Sequence, residues 1–344
     1  MIVVFPTYAR RLADAEGWRA TVAGMVTRPL PVRSRRRTLA VAVLKRLLEL
    51  DDSDLDSDVF RRRAEAFLFQ RVAGARVQVT IGDRSFAAGV SDRTGHFQVA
   101  VDLPADFVDR WATAAEGRQR LACRAVLDDA DTAESAPEVA GAIDLVEPGG
   151  TSVISDIDDT VKVTNVADKK ELLRNTLLRE FAPVPGIAPI YQRWERLGTA
   201  FHYVSASPWQ LSNCLCGFIE AAGLPAGSMH LKLFRLKDST PLGRLPSRKR
   251  SKRRAIEQVM ADFPGRRFLL IGDSGERDPE VYAEVARRRP EQVTGIAIRS
   301  VEGRRPVHRQ QPWLDRVARK LPAGFMTVFT APEELAECFP VCHR

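Results

Sequence analysis

Between residues 151 and 300 the chain alternates short apolar runs with longer stretches of helical periodicity. The runs are TSVISDI, AFHYVSA, MHLKLFRL, RRFLLIGD and VTGIAIRS. Between them lie DKKELLRNTLLREF, GIAPIYQRWERLG, PWQLSNCLCGFIEAAG, SKRRAIEQVMADFP and DPEVYAEVARRRP. Pro208 suits the first turn of its helix, where a missing N–H costs nothing. Continuous apolar runs fit strands covered on both faces, and helices joining them predict a parallel sheet with helices on either side. The expected fold class is therefore α/β. In such sheets ligands gather at the carboxyl ends of the strands. Three of these runs end in polar residues: Asp156, Ser205 and Asp273.

Upstream, from Gly74, the period shortens to two. ARVQVTIGDRSFAAGVSDRTGHFQVAVDLP alternates apolar and polar residues, as half-buried strands do. Asp92-Arg93-Thr94-Gly95 reads as a tight turn, and RLACRAVLDD and GAIDLVEPGG continue the alternation. This predicts a smaller antiparallel β-sandwich over residues 70–147, decorated by residues 1–70. Pro148-Gly149-Gly150 marks the boundary between an N-terminal region, 1–147, and a second domain, 148–344. Residues 33–58 run from RSRRR through TLAVAVLKRLLEL to DDSDLDSD. A basic amphipathic segment could lie on an anionic membrane. Only Lys45, Arg46 and Glu49 bring charge to the apolar stretch, which favours a core helix followed by a solvated acidic loop. His96 stands without a catalytic cluster, so the expected role of the N-terminal region is interaction or orientation at a membrane.

Length and composition, 344 residues with 44% hydrophobic and 28% charged, allow two globular domains. No apolar run reaches the roughly 18 residues of a spanning helix. The opening MIVVFPTYARRLADAEGW has no basic leader before its apolar residues. The expectation is a cytoplasmic protein, with peripheral contact at the inner membrane surface. A net charge of +8 permits anionic partners. However, 43 Arg against 9 Lys is a skew that coding bias alone can produce, so charge weighs little and nucleic acid is not an expected partner. The five cysteines are odd in number, and Cys214 and Cys216, two apart on a helix, do not face one another. With Cys123, Cys338 and Cys342 they are expected to be free thiols.

The carboxylates carry the chemistry. Asp156 and Asp158 bracket one residue past the first strand, and in a tight turn both enter one crevice. Like charges that close push each other toward protonation, so something positive must sit among them. A hard dication with oxygen ligands fits, and Mg²⁺ is the usual partner when a substrate supplies phosphate oxygens. A calcium loop is excluded, because positions six and twelve counted from Asp156 hold Val161 and Ala167 rather than Gly and Glu. Helix capping by Asp159 or Thr160 explains one carboxylate, not three. LLIGDSGERDPEVY repeats the theme with Asp273 and Asp278; a Gly-Asp turn with Asp278 as helix cap is the plainer alternative.

DIDDT is similar to the D-x-D-x-T nucleophile motif of the haloacid-dehalogenase (HAD) superfamily. YVSAS resembles its second motif, Lys252 stands where its third-motif lysine belongs, and GDSGERD resembles its G-D-x4-D motif. More narrowly, DIDDTVKVTNV, VSASPWQL and LIGDSGERDPEVYAE resemble the actin-patch-type phosphatidate phosphatases and their bacterial relatives. FPTYA, the Trp18 segment and SDRTGHF extend that likeness to the N-terminal region. The resemblance implies a HAD-like fold and Mg²⁺-dependent hydrolysis of phosphatidate to diacylglycerol through an aspartyl-phosphate. It implies Asp156 as nucleophile and Asp158 as general acid and base. Asp156 and Asp273 would hold Mg²⁺, with Asp278 either a further ligand or a residue supporting the ligands, and with the Asp158 carbonyl contributing. Ser205 and Lys252 would grip the phosphoryl oxygens. Thr160 would shape the turn by hydrogen bonding and help at the phosphate, and Asp159 would serve structure. Lys249 is the alternative to Lys252.

The spacing between motifs leaves no room for a large cap, and an open site suits a bulky lipid. The basic SRKRSKRR reads either as a solvated loop or as an electropositive rim for an anionic surface. Two other functions compete: the same chemistry on a nucleic-acid end or soluble phosphomonoester, and a catalytically silent module that senses phosphatidate or a phosphoinositide.

Overall fold

The structure, a computed structural model, describes residues 1–12, 16–31, 33–35, 37, 38, 41, 42, 57–115, 118–128, 137–165, 169–232, 248–301 and 307–336. Two compact units emerge. One comprises Met1–Asp51, Ala64–Pro148 and Gly227–Met229, the other Asp52–Arg63, Gly149–Ala226 and His230–Arg344.

The described strands of the first unit are β1 (Ile2–Phe5), β2 (Thr7–Arg11), β3 (Gly17–Pro29), β4 (Phe69–Arg71), β5 (Arg76–Ile81), β6 (Arg84–Val90), β7 (His96–Pro104), β8 (Ala112–Ala115), β9 (Arg118–Leu127) and β10 (Val139–Val146). β1 and β2 are one line of chain broken at Pro6, which has no N–H to give a ladder. Both lie along β3, β1 opposite Ala23–Val26 and β2 opposite Trp18–Ala20. The other side of β3 takes β7 and then β4. From β2 the sheet runs through β10 and β9 to β5 and β6. Trp18, Ala20 and Val22 of β3 share one buried cluster with Val77, Val79 and Ile81 of β5 and with Leu121 and Ile143. Strands at both ends of the sheet thus face a single core.

Two expectations need correction. Residues 1–30 are not decoration, since β3 is the strand on which four others pair. The sheet is also not wholly antiparallel, because β2 and β10 run parallel. The cause is legible in β3 itself. Its inward positions include Ala20 and Gly24, whose small size gives little hydropathy signal; a Cβ on Gly24 would strike the Val3 carbonyl and the Phe97 ring.

The second unit has a sheet of β11 (Gly150–Ser155), β14 (Ala200–Pro208), β15 (Ser228–Lys232), β16 (Arg266–Asp273), β17 (Val293–Arg299) and β18 (Met326–Phe329), in the order β15-β14-β11-β16-β17-β18. The pairings of β11 with β14 and β16, and of β17 with β16 and β18, are parallel. A two-stranded ribbon of β12 (Lys162–Val163) and β13 (Ala182–Pro183) stands apart. Helices across the molecule are α1 (Asp58–Glu65), α2 (Ala105–Trp111), α3 (Lys169–Leu177), α4 (Ile187–Arg196), α5 (Ser212–Ala221), α6 (Arg248–Asp262), α7 (Asp278–Arg288) and α8 (Val307–Ala318). Strands of a parallel sheet alternating with helices give the expected α/β architecture, and the N-terminal region is β-rich. Central strands are apolar on both faces: Val153 and Ile154 of β11 and Leu270 and Ile271 of β16 are fully buried.

Pro208 does not open a helix. It ends β14, and a short 3₁₀ turn, Trp209–Leu211, precedes α5. Asp278 is the first residue of α7 rather than its cap, which is Arg277. The expected helix over 38–50 with Lys45, Arg46 and Glu49, the acidic run after it, the continuation of MHLKLFRL past Lys232, and Cys338 and Cys342 fall largely or wholly outside the described residues. Cys123, Cys214 and Cys216 are free thiols. The strand order places β11 between β14 and β16, so the tips carrying Asp156, Ser205 and Asp273 are neighbours.

Candidate active site

Asp156 extends β11 by one bond, its amide donating to the Ile271 carbonyl at 2.8 Å. The chain then turns sharply. The Ile157 carbonyl accepts the amides of Thr160, Val161 and Lys162 at 3.3, 3.1 and 3.0 Å. Asp159 pivots the turn at φ 55°, a left-handed conformation that Asp tolerates better than most L-residues. Its carboxylate accepts the Thr164 and Asn165 amides at 2.7 and 2.8 Å, and its carbonyl accepts Arg299 Nη1 at 2.8 Å. Asp159 therefore serves the turn. Thr160 joins the turn through its amide, while its hydroxyl is buried with no protein partner among the described residues.

Asp156, Asp273 and Asp278 each bring a carboxylate oxygen into one buried cluster, all within 4.8 Å of one another. β11, β16 and the first turn of α7 supply them. Lys252 Nζ, from α6, donates to Asp156 Oδ1 at 2.7 Å and to Asp278 Oδ1 at 2.5 Å. Asp273 Oδ1 accepts the Gly275 and Glu276 amides at 2.6 and 3.0 Å. That leaves Asp273 Oδ2 and Asp278 Oδ2 buried without a partner. Burial pushes Asp156 and Asp273 well above the usual carboxylate range; neighbouring carboxylates add to this and Lys252 opposes it. The Lys252 ammonium is held well above its ordinary value, since Asp156 and Asp278 outweigh its burial. Three acceptor-only oxygens around buried, unsatisfied positions fit a hard divalent cation. Lys249 pairs with Glu284 at 3.6 Å instead, so Lys252 is the lysine the fold brings to the aspartates.

Asp158 has a different environment. Its carboxylate is not in the cluster. Oδ1 pairs with Lys162 Nζ at 2.8 Å and accepts Thr164 Oγ1 at 2.9 Å; Oδ2 accepts Ser205 Oγ at 3.1 Å and Ser207 Oγ at 2.7 Å. Burial pushes this carboxyl up, but the Lys162 charge and the hydrogen bonds overcome it and bring it down to about 2. Two carboxylates two residues apart thus take separate lysines, 252 and 162, although the Asp158 charge still pushes Asp156 up.

The comparisons can be set beside this geometry. Residues 151–300 match the family described as phosphatidate phosphatase APP1, catalytic domain. This stretch is thus similar to an APP1 catalytic domain. Phosphatidate phosphatase APP1 of Saccharomyces cerevisiae is 29% identical over 258 residues, which are 71% of this chain and 41% of that protein. An uncharacterized protein of Schizosaccharomyces pombe is 34% identical over 165 residues, 46% of this chain and 26% of its own length. The chain therefore spans well under half the length of either relative. The APP1-like domain begins at β11 and ends just after β17, enclosing every residue of the aspartate cluster.

Lys162, Thr164 and Ser207 were not among the residues singled out from sequence. Ser207 had a signal: on a strand, positions two apart share a face, so a serine at the tip of β14 predicts that the next-but-one serine lies beside it. Lys162 had none, because a lysine after an aspartate-rich turn reads as solvated, whereas here it is 1% exposed.

Proposed function

We propose that this protein is a Mg²⁺-dependent phosphatase that hydrolyses a phosphomonoester, with phosphatidate, released as diacylglycerol and phosphate, as the leading substrate. The observation that carries this reading is the meeting of Asp156, Asp273, Asp278 and Lys252 at adjacent strand tips of an APP1-like domain. Asp156, Asp273 and Asp278 would hold Mg²⁺, with the main-chain carbonyl of Asp158 contributing. Bound there, the cation supplies Lewis-acid polarisation of the phosphoryl oxygens.

The chain's own residues do the rest. Asp156 attacks phosphorus and becomes the aspartyl-phosphate while the leaving oxygen departs. Asp158 hands that oxygen a proton taken up with the substrate. As a carboxylate again, it takes a proton from the water that hydrolyses the intermediate, a contribution of about 10²–10⁴-fold. Ser205 and Lys252 orient the phosphoryl group and balance its charge, and Thr160 offers its unpartnered hydroxyl nearby. Residues 148–344 form the catalytic domain in this account, and 1–147 an accessory region that orients it at a membrane from the cytoplasmic side.

The same chemistry could act on a nucleic-acid end or a soluble phosphomonoester. A silent lipid sensor is disfavoured by the presence of both Asp156 and Asp158. The deciding experiment measures phosphate release from phosphatidate vesicles, phosphorylated oligonucleotides, nucleotides and sugar phosphates, with and without Mg²⁺. Release from phosphatidate that needs Mg²⁺ and vanishes in Asp156→Asn is the expected outcome. Turnover that survives in Asp156→Asn defeats the mechanism, and vesicle binding without release supports the sensor instead.

A further inference from the structure

A buried lysine costs several kcal/mol unless it is paired, so its location is informative. Lys162 is one of the largest fully buried side chains in the molecule. Its ammonium meets Asp158 Oδ1 at 2.8 Å and donates to Thr164 Oγ1 at 2.6 Å, and it lies over the Phe181 ring, 4.6 Å from the centroid. Thr164 passes its own hydrogen to Asp158 Oδ1. On the other oxygen, Ser207 donates at 2.7 Å, a shorter contact than the one from Ser205; the Ser207 amide also holds the Ser205 hydroxyl at 2.9 Å. Both oxygens of Asp158 are thus occupied, each by two donors, from β12 and the segment after it on one side and from the tip of β14 on the other.

Such occupancy has a purpose in the proposed reaction, on which this inference rests. A carboxylate two residues from Asp156, if free to rotate, would be drawn to the cation held by its neighbours and lost to proton transfer. We propose that Lys162, Thr164 and Ser207 are positioning residues that hold the Asp158 carboxylate apart from the three-aspartate cluster, in the orientation that serves the leaving oxygen. They act through Asp158, and Ser207 additionally orders Ser205. When substrate arrives with its proton, one hydroxyl donor turns away and Asp158 takes that proton. When the phosphorus–oxygen bond breaks, its electron pair stays on the leaving oxygen, which takes the proton and leaves Asp158 a carboxylate again. The need for that proton depends on the leaving group: an alkoxide requires it, and a stabilised phenolate does not.

That difference gives the test. kcat/KM, which reports steps up to departure of the leaving group, is compared for an alkyl phosphomonoester (phosphatidate in detergent micelles) and for p-nitrophenyl phosphate, in Ser207→Ala, Ser207→Thr, Thr164→Val and Lys162→Met. A misplaced proton donor should lower kcat/KM on the alkyl substrate by about 10–100-fold, part of the usual acid-catalysis factor, and on the aryl substrate by under about 3-fold. Ser207→Thr, which keeps the hydroxyl, should recover most of the loss. Equal losses on both substrates, with no recovery in Ser207→Thr, would mean a merely structural role and overturn the proposal.

Crystal structures of Ser207→Ala and Lys162→Met give a readout that needs no turnover. The Asp158 carboxylate is expected to leave its present position; if it stays in both variants, there is no clamp. Wild-type protein that releases phosphate from neither substrate would sink the phosphatase reading, and the position of Asp158 in the variants would still decide the clamp.

Discussion

At the scale of single residues, Gly272 shows how the site depends on an atom that is not there. It precedes Asp273 in β16, and a Cβ would collide with an Asp278 carboxylate oxygen and lie 2.7 Å from a ring carbon of Tyr282. Tyr282 in turn donates to the Ile271 carbonyl at 3.1 Å and lies beneath Lys252, 5.6 Å from ammonium to ring centroid. Replacing Gly272 with Ala therefore pushes on the ligand and on the residue that seats the lysine. The expected result is Mg²⁺ affinity weakened by about 10–100-fold, as for other changes to groups that orient ligands; calorimetric titration of Mg²⁺ against wild type and Gly272→Ala checks it. At this scale much of the site was legible. Asp156, Ser205, Asp273 and Asp278 were visible because polar residues at the ends of apolar strands stand out. The partner of Asp158 was not, because sequence gives no measure of how deeply a lysine is buried. Nor was it legible that Thr160 joins the turn through its amide: a motif position suggests a hydrogen bond but cannot show which atom makes it.

At the scale of elements, β14 and β15 carry a liability in their buried histidines. His202, fully buried, and His230, on the neighbouring strand, have ring centroids 6.5 Å apart. Burial holds His202 well below its ordinary value, with His230 adding to the effect, and burial brings His230 down to about 4. An unfolded imidazole titrates near about 6.5, so below that pH the unfolded chain takes up protons that the folded one refuses. Stability is then unaffected above about pH 6.5 and falls as the pH drops toward about 4, by up to about 1.4 kcal/mol per pH unit for each imidazole. Urea midpoints measured across that window should decline, and the decline should be shallower in His202→Phe; a flat profile in the wild type would contradict it. Elements themselves were read unevenly. The main-sheet strands β11, β14, β16 and β17 and the helices between them were plain because continuous apolar runs and helical periods contrast strongly. β3 was hidden by small residues, and β18 and α8 lie where the sequence offered no polar strand tip to attract notice. The ribbon of β12 and β13 is only two residues on each side, below what a period of two can reveal.

For the whole molecule, the division near residue 148 follows from two hydrophobic periods, alternating before Pro148 and continuous after it. The structure adds exchanges that no linear reading could supply: residues 52–63 belong with the second unit and 227–229 with the first. No described helix is long and apolar enough to cross a membrane. The formal charge of +8 resides in residues 148–344, since residues 1–147 carry 21 Lys or Arg against 22 Asp or Glu, so an electrostatic contact with an anionic bilayer would be made by the second domain. Binding to phosphatidate-containing vesicles in a flotation assay should weaken as salt rises, each Lys or Arg near the surface contributing about 1 kcal/mol at low ionic strength. Salt-independent binding would point to apolar insertion.

The ribbon deserves one last consequence. The chain enters the α3 segment from Lys162–Val163 and returns from it through Ala182–Pro183, paired side by side. The described part of the segment between is tied at this ribbon, by Asn175 to the Thr164 carbonyl at 2.9 Å and by Arg63 to the Thr176 carbonyl at 3.0 Å, while β11 and its aspartates stay anchored in the main sheet. Grafting a segment of different length between 166 and 180 should thus leave the aspartates in register. Substrate range could diversify among descendants of this scaffold by exchanging that cassette alone.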